Sequence, residues 1–343
     1  MKSSLSTKLN QLNIIQAVEH LRKGELVAFP TETVYGLGAD ASNEKALQKL
    51  YATKGRPGNH PVIVHLASLD QISDWCAELP EYAKLLAKSF WPGPVTLIAK
   101  KAKHVSGLIT GGQDTIGVRV PAHPLALALL KTFSGAIAAP SANKYGRISA
   151  TCAEHVQQEF GDEVSVIIDG GSCPIGIEST IVDVTGTRPK ILRPGLVSEK
   201  DLLDKIGSIP SGNSVEDTPY SNGKNIRVPG SDKSHYAPQT PLLLMNRSSL
   251  ETLFTLEDLS AGSNNKVSYA VLAFDQLDNI DNIQVVKQYI QASPDVRLYA
   301  RELYANLRKL DNSEADYIVI EATNDSPEWT AIADRLKRAS TKL

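Results

Sequence analysis

The sequence has no apolar run long enough to cross a membrane. A transmembrane helix needs ~20 consecutive, mostly apolar residues, and the 343 residues contain no such stretch. The opening residues, MKSSLSTKLNQLNIIQ, also lack the apolar core and the small-residue cleavage site of a secretory signal. We therefore expect neither a membrane span nor an export signal.

Cysteine is scarce as well. The three cysteines, Cys76, Cys152 and Cys173, lie far apart in the sequence and form no CxxC pair. They offer no disulfide framework of the kind that stabilises small secreted domains. We interpret this pattern as that of a reduced, soluble, cytoplasmic protein.

An excess of positive charge is also missing. The 36 Lys and Arg residues are balanced by 38 Asp and Glu residues, which gives a net charge of −2. Proteins that coat nucleic acid are usually strongly basic, so the balance argues against that class, although it leaves a local basic cleft open. The seven histidines show no HxxxH or HExxH zinc spacing. The sequence also lacks a GxSxG elbow and a Walker A loop.

The chain has enough apolar residues for two packed domains. Hydrophobic residues make up 42% of it, and its length exceeds the ~100–200 residues of a typical domain. Between Ser208 and Asp232 the sequence is rich in Ser, Gly, Pro and Asn and has no apolar periodicity, which indicates a linker or a functional loop. We predict domains at 1–207 and 241–343, joined by a linker at 208–240.

The pattern of apolar runs predicts an α/β fold in both domains. In the first, strands are expected at 24–29, 62–64, 95–98, 116–118, 135–139, 164–169 and 179–184, with helices at 43–53 and 124–132. Because several strands follow each other without a helix, a twisted mixed sheet is favoured. In the second, strands at 241–245, 267–274, 284–286 and 317–321 alternate with helices at 248–258, 295–310 and 327–340. That alternation predicts a small parallel, Rossmann-like α/β layer.

Two segments place polar groups directly after predicted secondary structure. In PTETVYGLG, residues 30–38, hydroxyls and a carboxylate follow a strand, and two glycines would let the backbone turn closely. This is either a ligand loop or a capped turn. In KGRPGNHP, residues 54–61, the cations Lys54 and Arg56 suit phosphate oxygens. The helix dipole alone would also favour Lys54 at a helix end.

Three further positions are candidates for anion or ligand binding. In Ala138–Asn143 (AAPSAN), Ser141 and Asn143 follow a proline, as in a ligand loop or in an ordinary turn. Arg119 interrupts an apolar strand, where a charge is costly unless it is paired. A bound carboxylate or an outward-facing side chain would both account for it, and Arg193 poses the same choice.

Taken together, the segments PTETVYGLG, KGRP, HPVIVH, FWPGPVTL, VRVPAHP, APSAN, ESTIVD and LRPG, in this order, resemble the YrdC-type threonylcarbamoyl-AMP synthases. The match runs from about residue 24 to about residue 195. A later SHYAP segment followed by an α/β domain is similar to the longer, two-domain form of that family.

The resemblance implies a twisted mixed-sheet domain with a deep basic cavity, and an enzyme that forms threonylcarbamoyl-AMP and pyrophosphate. Its substrates would be L-threonine, bicarbonate or CO₂, and ATP with Mg²⁺. The product would pass to a tRNA threonylcarbamoyl transferase complex that modifies adenosine next to the anticodon; direct tRNA binding stays undecided. We expect no membrane partner and no metal held by the protein alone.

The resemblance also assigns roles to individual residues by position. The threonine contacts fall on Thr33, His65, Arg119 and Ser179. The ATP contacts fall on Lys54, Arg56, Thr115, Ser141, Asn143, Ser149 and Arg193, of which Lys54, Arg56, Ser141 and Asn143 are the catalytic candidates. His60 and Lys233 are counted with the ATP contacts by position, although the family can have an Asn and a Tyr at these two places.

The residue chemistry is consistent with these roles, because anionic reactants need charge neutralisation and positioning. We further predict that residues 208–236 form a lid over the bound nucleotide. Two other functions compete with the synthase: an RNA-binding module, and a carbamoyl-transfer domain that uses carbamoyl phosphate.

Overall fold

The structure is a computed structural model that describes residues 2–207, 226–230, 235–259, 267–276 and 285–341. Lys233 and most of the predicted lid lie outside the described residues. The chain forms two compact units, one of Met1–Tyr145 with Ser149–Ser231 and one of Gly146–Ile148 with Asp232–Leu343. The tripeptide Gly146–Ile148 therefore groups with the second unit, although it lies in the first half of the sequence.

The first unit is built on a nine-stranded mixed sheet with the strand order β7-β1-β2-β6-β3-β5-β4-β8-β9. The pairs β1–β7, β3–β5 and β4–β8 are parallel and the others are antiparallel. This confirms the predicted mixed sheet. The strands are β1 (Val27–Phe29), β2 (Gly36–Asp40), β3 (Ile63–His65), β4 (Val95–Lys100), β5 (Thr115–Arg119), β6 (Ile137–Ala138), β7 (Val166–Ile167), β8 (Thr180–Asp183) and β9 (Lys190–Arg193).

In the described part of this unit, seven helices pack around the sheet: α1 (Lys2–Arg22), α2 (Glu44–Lys54), α3 (Glu81–Phe90), α4 (Gly107–Thr110), α5 (Pro124–Phe133), α6 (Ala153–Phe160) and α7 (Glu199–Ile206). Helix α2 begins where the sequence predicts, because the Asn43 side chain accepts hydrogen bonds from the amides of Lys45 and Ala46. It ends at Gly55, whose φ of 62° suits glycine. Helix α5 has its predicted proline in the first turn.

The strand register separates the sheet into an apolar face and a polar face in its β3-β5-β4-β8 part. Side chains alternate between the two faces of a strand, so Val64, Val118, Leu97 and Val182 share one face. They pack there into the largest apolar core together with helix α3. The residues between them, including His65 and Arg119, therefore point to the opposite face.

The second unit contains a four-stranded parallel sheet with the order β10-β13-β11-β12. Its elements are β10 (Leu242–Met245), α8 (Arg247–Leu259), β11 (Tyr269–Ala273), β12 (Val286–Gln291), α9 (Val296–Asp311), β13 (Tyr317–Glu321) and α10 (Thr330–Ala339). Strands β11 and β13 are buried along most of their length, as expected for a parallel sheet covered by helices. The predicted parallel α/β layer is thus confirmed.

Candidate active site

The polar face of the large sheet carries a row of side chains that includes three of the predicted site residues, His65, Arg119 and Arg193. His65 on β3 pairs with Arg119 on β5, and Thr96 on β4 continues the row, since the next residue, Leu97, pairs with Val118. Thr96 in turn pairs with Ile181, and Ile181 with Arg193. With ~4.8 Å between strands, the row places the Cα atoms of Arg119 and Arg193 roughly 14 Å apart.

A bulge brings Arg193 into this row. The register of β8 and β9 shifts between Ile181 and Val182, so that Leu192 is the extra residue. A β-bulge re-aims the side chains that follow it. Leu192 accordingly packs on the polar side with Ile63, Ile98 and Ile181, and Arg193 follows it there.

Arg119 is buried and contacts three protein groups at its end of the row. Its Nε donates to the Gly93 carbonyl at 3.1 Å and its Nη1 donates to the Thr33 hydroxyl at 3.0 Å. Its Nη2 lies 2.7 Å from Oε1 of Glu32, which is also buried. Arg119 therefore does not face outward, and its charge is compensated by a carboxylate within the chain.

His65 is the neighbour of Arg119 and is held in its neutral form. Burial, with the Arg119 charge as a second cause, lowers the pKa of His65 to about 3. The Phe29 ring contacts it edge-on at 5.9 Å. A neutral imidazole can donate one hydrogen bond and accept another.

The glycines of PTETVYGLG have a packing role, so the predicted close turn of the backbone is wrong. Gly36 and Gly38 lie in strand β2, with φ outside the left-handed region. A Cβ on Gly38 would lie 2.9 Å from the Phe29 ring and 2.8 Å from Ile137. The preceding residues do form a loop, in which the Thr31 and Thr33 hydroxyls bond to each other at 2.9 Å.

At the other end of the row, Arg193 and Ser179 are in direct contact. The Arg193 Nη2 donates to the Ser179 hydroxyl at 3.2 Å, and Nε and Nη2 donate to the Ser179 carbonyl at 3.2 and 3.0 Å. The Thr96 hydroxyl also bonds to that of Ser179, at 2.8 Å. Arg193 Nη1 reaches the Pro229 carbonyl at 2.9 Å. The structure thus joins a predicted threonine contact to a predicted ATP contact.

The Lys54 side chain contacts the backbone of the APSAN loop, residues 139–143. Its Nζ donates to the Ser141 carbonyl at 2.6 Å and to the Asn143 carbonyl. Burial and the neighbouring Arg56 charge hold the pKa of Lys54 well below its usual value. Lys54 therefore fixes the backbone of the loop that carries Ser141 and Asn143.

Arg56 and His60 meet at Tyr145. The Arg56 guanidinium lies over the Tyr145 ring, 5.6 Å from its centre, and its Nη2 donates to the Pro61 carbonyl at 2.8 Å. The Tyr145 hydroxyl is 3.2 Å from Nδ1 of His60. Tyr145 thus holds two predicted ATP contacts in one place.

The remaining predicted residues are placed less centrally. The Ser149 hydroxyl donates to the Glu178 carboxylate at 2.6 Å, and both residues are buried. Thr115 begins strand β5, four residues from Arg119, and pairs with Lys100. Among the described residues, no side-chain hydrogen bond or ion pair joins Thr115 to the rest of the site, and its role, like the other residue roles, stays a prediction.

Sequence reasoning missed four residues that hold the predicted ones: Glu32, Thr96, Tyr145 and Glu178. Glu32 and Glu178 lie inside the motifs PTETVYGLG and ESTIVD, and a carboxylate next to a hydroxyl residue is the available signal. Thr96 also lies inside a motif, FWPGPVTL, and Tyr145 closely follows APSAN, but neither gives a signal of its own, because their partners are distant in sequence. Among the described residues, no group of three or more His, Cys, Asp and Glu could hold a metal ion.

Two family models together cover nearly the whole chain. The Sua5/YciO/YrdC model, described as telomere recombination, matches residues 19–195. The model described as the C-terminal domain of threonylcarbamoyl-AMP synthase matches residues 197–341.

Individual proteins match over the same length. The threonylcarbamoyl-AMP synthase of Pyrococcus abyssi is 37% identical over 97% of this chain and 95% of its own length. That of Bacillus subtilis is 38% identical over 96% and 94%. The crystal structure of P. abyssi Sua5 complexed with L-threonine superposes with a TM-score of 0.83 at 37% identity, covering 95% of this chain and 94% of that one. The chain therefore belongs to the threonylcarbamoyl-AMP synthase family, in its two-domain form.

Proposed function

We propose that this protein makes threonylcarbamoyl-AMP and pyrophosphate from L-threonine, bicarbonate or CO₂, and ATP. The observation that carries the proposal is the row across the polar face of the sheet, with Arg119 at one end and Arg193 at the other. The spacing of the two ends suits an amino acid bound beside a nucleotide.

The Arg119 end is assigned to threonine. A guanidinium can pair with the substrate carboxylate through two N–H groups. The Thr33 and Ser179 hydroxyls and the neutral His65 imidazole supply the donors and acceptors that a small hydroxy-amino acid needs. A site that hydrogen-bonds the threonine hydroxyl would reject valine, by up to ~10⁴-fold in comparable cases.

The Arg193 end, with Arg56 and the Lys54-supported APSAN loop, is assigned to ATP. The threonine amine attacks carbon dioxide and loses a proton to solvent, which gives a carbamate. A carbamate oxygen then attacks the α-phosphorus and the bond to the bridging oxygen of pyrophosphate breaks. Because these reactants are anionic, fixed cations lower the barrier by neutralising charge and by positioning the attack. The reaction makes the protein a nucleotidyltransferase.

Mg²⁺ would enter with ATP, held mainly by triphosphate oxygens and water. We assign the product to a tRNA threonylcarbamoyl transferase in the cytoplasm. In the described part of the chain, no helix is long and apolar enough to cross a membrane.

The test is pyrophosphate release in the presence of ATP, threonine and labelled bicarbonate. The proposal predicts release that requires threonine, together with a labelled adenylate, and a loss of pyrophosphate release of about 100-fold or more in Arg56→Ala. Pyrophosphate release that does not depend on threonine, or unchanged release in Arg56→Ala, would overturn the proposal.

The same assay separates the two competing functions. Turnover of carbamoyl phosphate without threonine or bicarbonate would indicate a carbamoyl-transfer domain. RNA binding with a steep salt dependence and no nucleotide turnover would indicate an RNA-binding module.

A further inference from the structure

We infer that Glu32 is a positioning residue for threonine. Its carboxylate holds the Arg119 guanidinium in the orientation that receives the substrate carboxylate. The inference rests on the proposed function, since it concerns the threonine end of that site.

The first observation is the incomplete hydrogen bonding of Arg119. Its Nε and Nη1 each donate to an aligned acceptor, the Gly93 carbonyl and the Thr33 hydroxyl. Its Nη2 is buried 2.7 Å from Glu32 Oε1, yet neither atom has an aligned hydrogen-bond partner among the described residues. The contact is therefore an ion pair in which the N–H groups of Arg119 Nη2 do not point at the Glu32 oxygen. A buried donor without a partner is costly, and a substrate carboxylate oxygen would provide the missing acceptor.

The second observation is that Glu32 is itself held in place. Its Oε2 accepts the backbone N–H of Ala122 at 3.0 Å, and its own carbonyl accepts the N–H of Ile175 at 2.9 Å. Arg119 and Ala122 lie at the two ends of one tetrapeptide. Glu32 therefore fixes both the Arg119 side chain and the backbone that follows strand β5.

The third observation concerns local charge. His65 is neutral because its pKa is about 3. Burial also raises the pKa of the nearby Cys173 thiol to about 12, with the Glu32 charge as a smaller cause. Among the described residues, Glu32 is the carboxylate that pairs with Arg119, so it offsets the Arg119 charge before substrate arrives. Without Glu32, Arg119 would be a buried, uncompensated charge, and its guanidinium could turn towards another acceptor.

The experiment compares Glu32→Gln and Glu32→Asp with a matched control, Glu25→Gln. Glu25 pairs with Lys49 at a half-exposed position outside the site. Pyrophosphate release is measured in the full-length protein while threonine and ATP are varied separately, and thermal unfolding is recorded in parallel.

For Glu32→Gln we expect the KM for threonine to rise on the order of 30-fold, with the KM for ATP within about twofold of the wild type. Glu32→Asp keeps the charge and should recover part of the loss. Glu25→Gln should behave like the wild type.

Equal effects on the two KM values, or a threonine KM within twofold of the wild type in a folded variant, would overturn the inference. If neither Glu32 variant folds, Glu32 is a structural residue and the inference fails as well. These results leave the proposed function intact. A wild-type protein without threonine-dependent pyrophosphate release would instead refute both.

Discussion

The two compact units of the chain bury charged side chains very differently. In the described part of the first unit, six Lys, Arg and Glu side chains are buried, whereas the described part of the second unit buries only Arg335. The first unit is about twice as long, so its size does not account for the difference. The six are Glu32, Lys54, Arg56, Arg119, Glu178 and Arg193.

The surroundings of these charges differ as well. Arg335 forms an ion pair with its neighbour Asp334 at 3.0 Å and lies over the Tyr236 ring, 5.4 Å from its centre. This is a local arrangement that packing can support by itself. The charges of the first unit lie on strands β5 and β9, at the end of helix α2 and in the loops around them. Because burying a charge is costly, the concentration of buried charges in the first unit indicates a binding site. Arg335, by contrast, has a structural role within the second unit.

Replacing one buried arginine in each unit tests this distinction with the largest expected effect. Arg119→Met leaves Glu32 buried without its partner, which should lower the free energy of unfolding by about 3–5 kcal/mol. It should also lower kcat/KM for threonine by at least about 10³-fold, since the substrate carboxylate would lose the partner that we propose for it. Urea unfolding and the pyrophosphate assay measure the two effects.

Arg335→Met is the counterpart in the second unit. Asp334 keeps its contact with Arg338 at 2.9 Å, so we expect a loss of less than about 2 kcal/mol in unfolding free energy and an unchanged kcat/KM. A loss of activity in Arg335→Met, or full activity in Arg119→Met, would contradict the distinction between the two units.

The packing of Gly38 in strand β2 gives the next largest expected effect, a loss of stability. In Gly38→Ala the new methyl would lie within 3 Å of both Ile137 and the Phe29 ring. We expect a loss of about 2–3 kcal/mol in unfolding free energy, as for other overpacked cores. Gly107→Ala adds a methyl with nothing within 4 Å and should cost nothing measurable; similar melting temperatures for the two variants would contradict the packing role.

His65 should make the first unit acid-sensitive. Its pKa is about 3 in the folded protein and ~6.5 in the unfolded chain, so between these values only the unfolded chain binds the proton. The free energy of unfolding should therefore fall as the pH is lowered from 6.5 towards 3, by up to about 1.4 kcal/mol per pH unit.

Urea unfolding at several pH values checks this. His65→Gln should flatten the dependence, while the exposed His104→Gln should leave it as in the wild type. An equal slope in the wild type and in His65→Gln would show that His65 is not held neutral by the fold.

The smallest expected effect is at Tyr145. Tyr145→Phe removes the hydroxyl near His60 but keeps the ring under Arg56. The loss of one hydrogen bond is worth about 1 kcal/mol, so the KM for ATP should rise about fivefold. Tyr145→Ala, which also removes the ring, should raise the KM for ATP clearly more. Equal increases in the two variants would show that the contact between the ring and Arg56 does not contribute to ATP binding.

Much of the fold follows from the sequence, because its apolar spacing is regular. Strand β13 and the cap at Asn43 lie where the pattern predicts them. Strand β12 is predicted at 284–286 but runs from Val286 to Gln291, since Lys287, Gln288 and Gln291 interrupt its apolar residues. Helices α1 and α3 were not predicted, although residues 14, 17, 18 and 21 and residues 83, 86, 87 and 90 carry the i, i+3, i+4, i+7 spacing of a helix face.

The site was less accessible to sequence reasoning than the fold. For Arg119 the sequence allows two explanations, a bound anion or an outward-facing side chain, and the structure adds a third, the ion pair with Glu32. That partner lies 87 residues away, so no local pattern reveals it. The bulge that turns Arg193 into the row depends on strand pairing, which a single sequence does not specify.

The central claim is that Arg119 and Arg193 mark two adjoining subsites on one face of the sheet. The most direct test is to measure the KM for threonine and for ATP in Arg119→Lys and in Arg193→Lys. We predict that Arg119→Lys raises the threonine KM at least tenfold with little change for ATP, because lysine cannot form the forked pair. Arg193→Lys should raise mainly the ATP KM, with a smaller effect on threonine through Ser179. Equal shifts of both KM values in each variant, or no shift in either, would contradict the account.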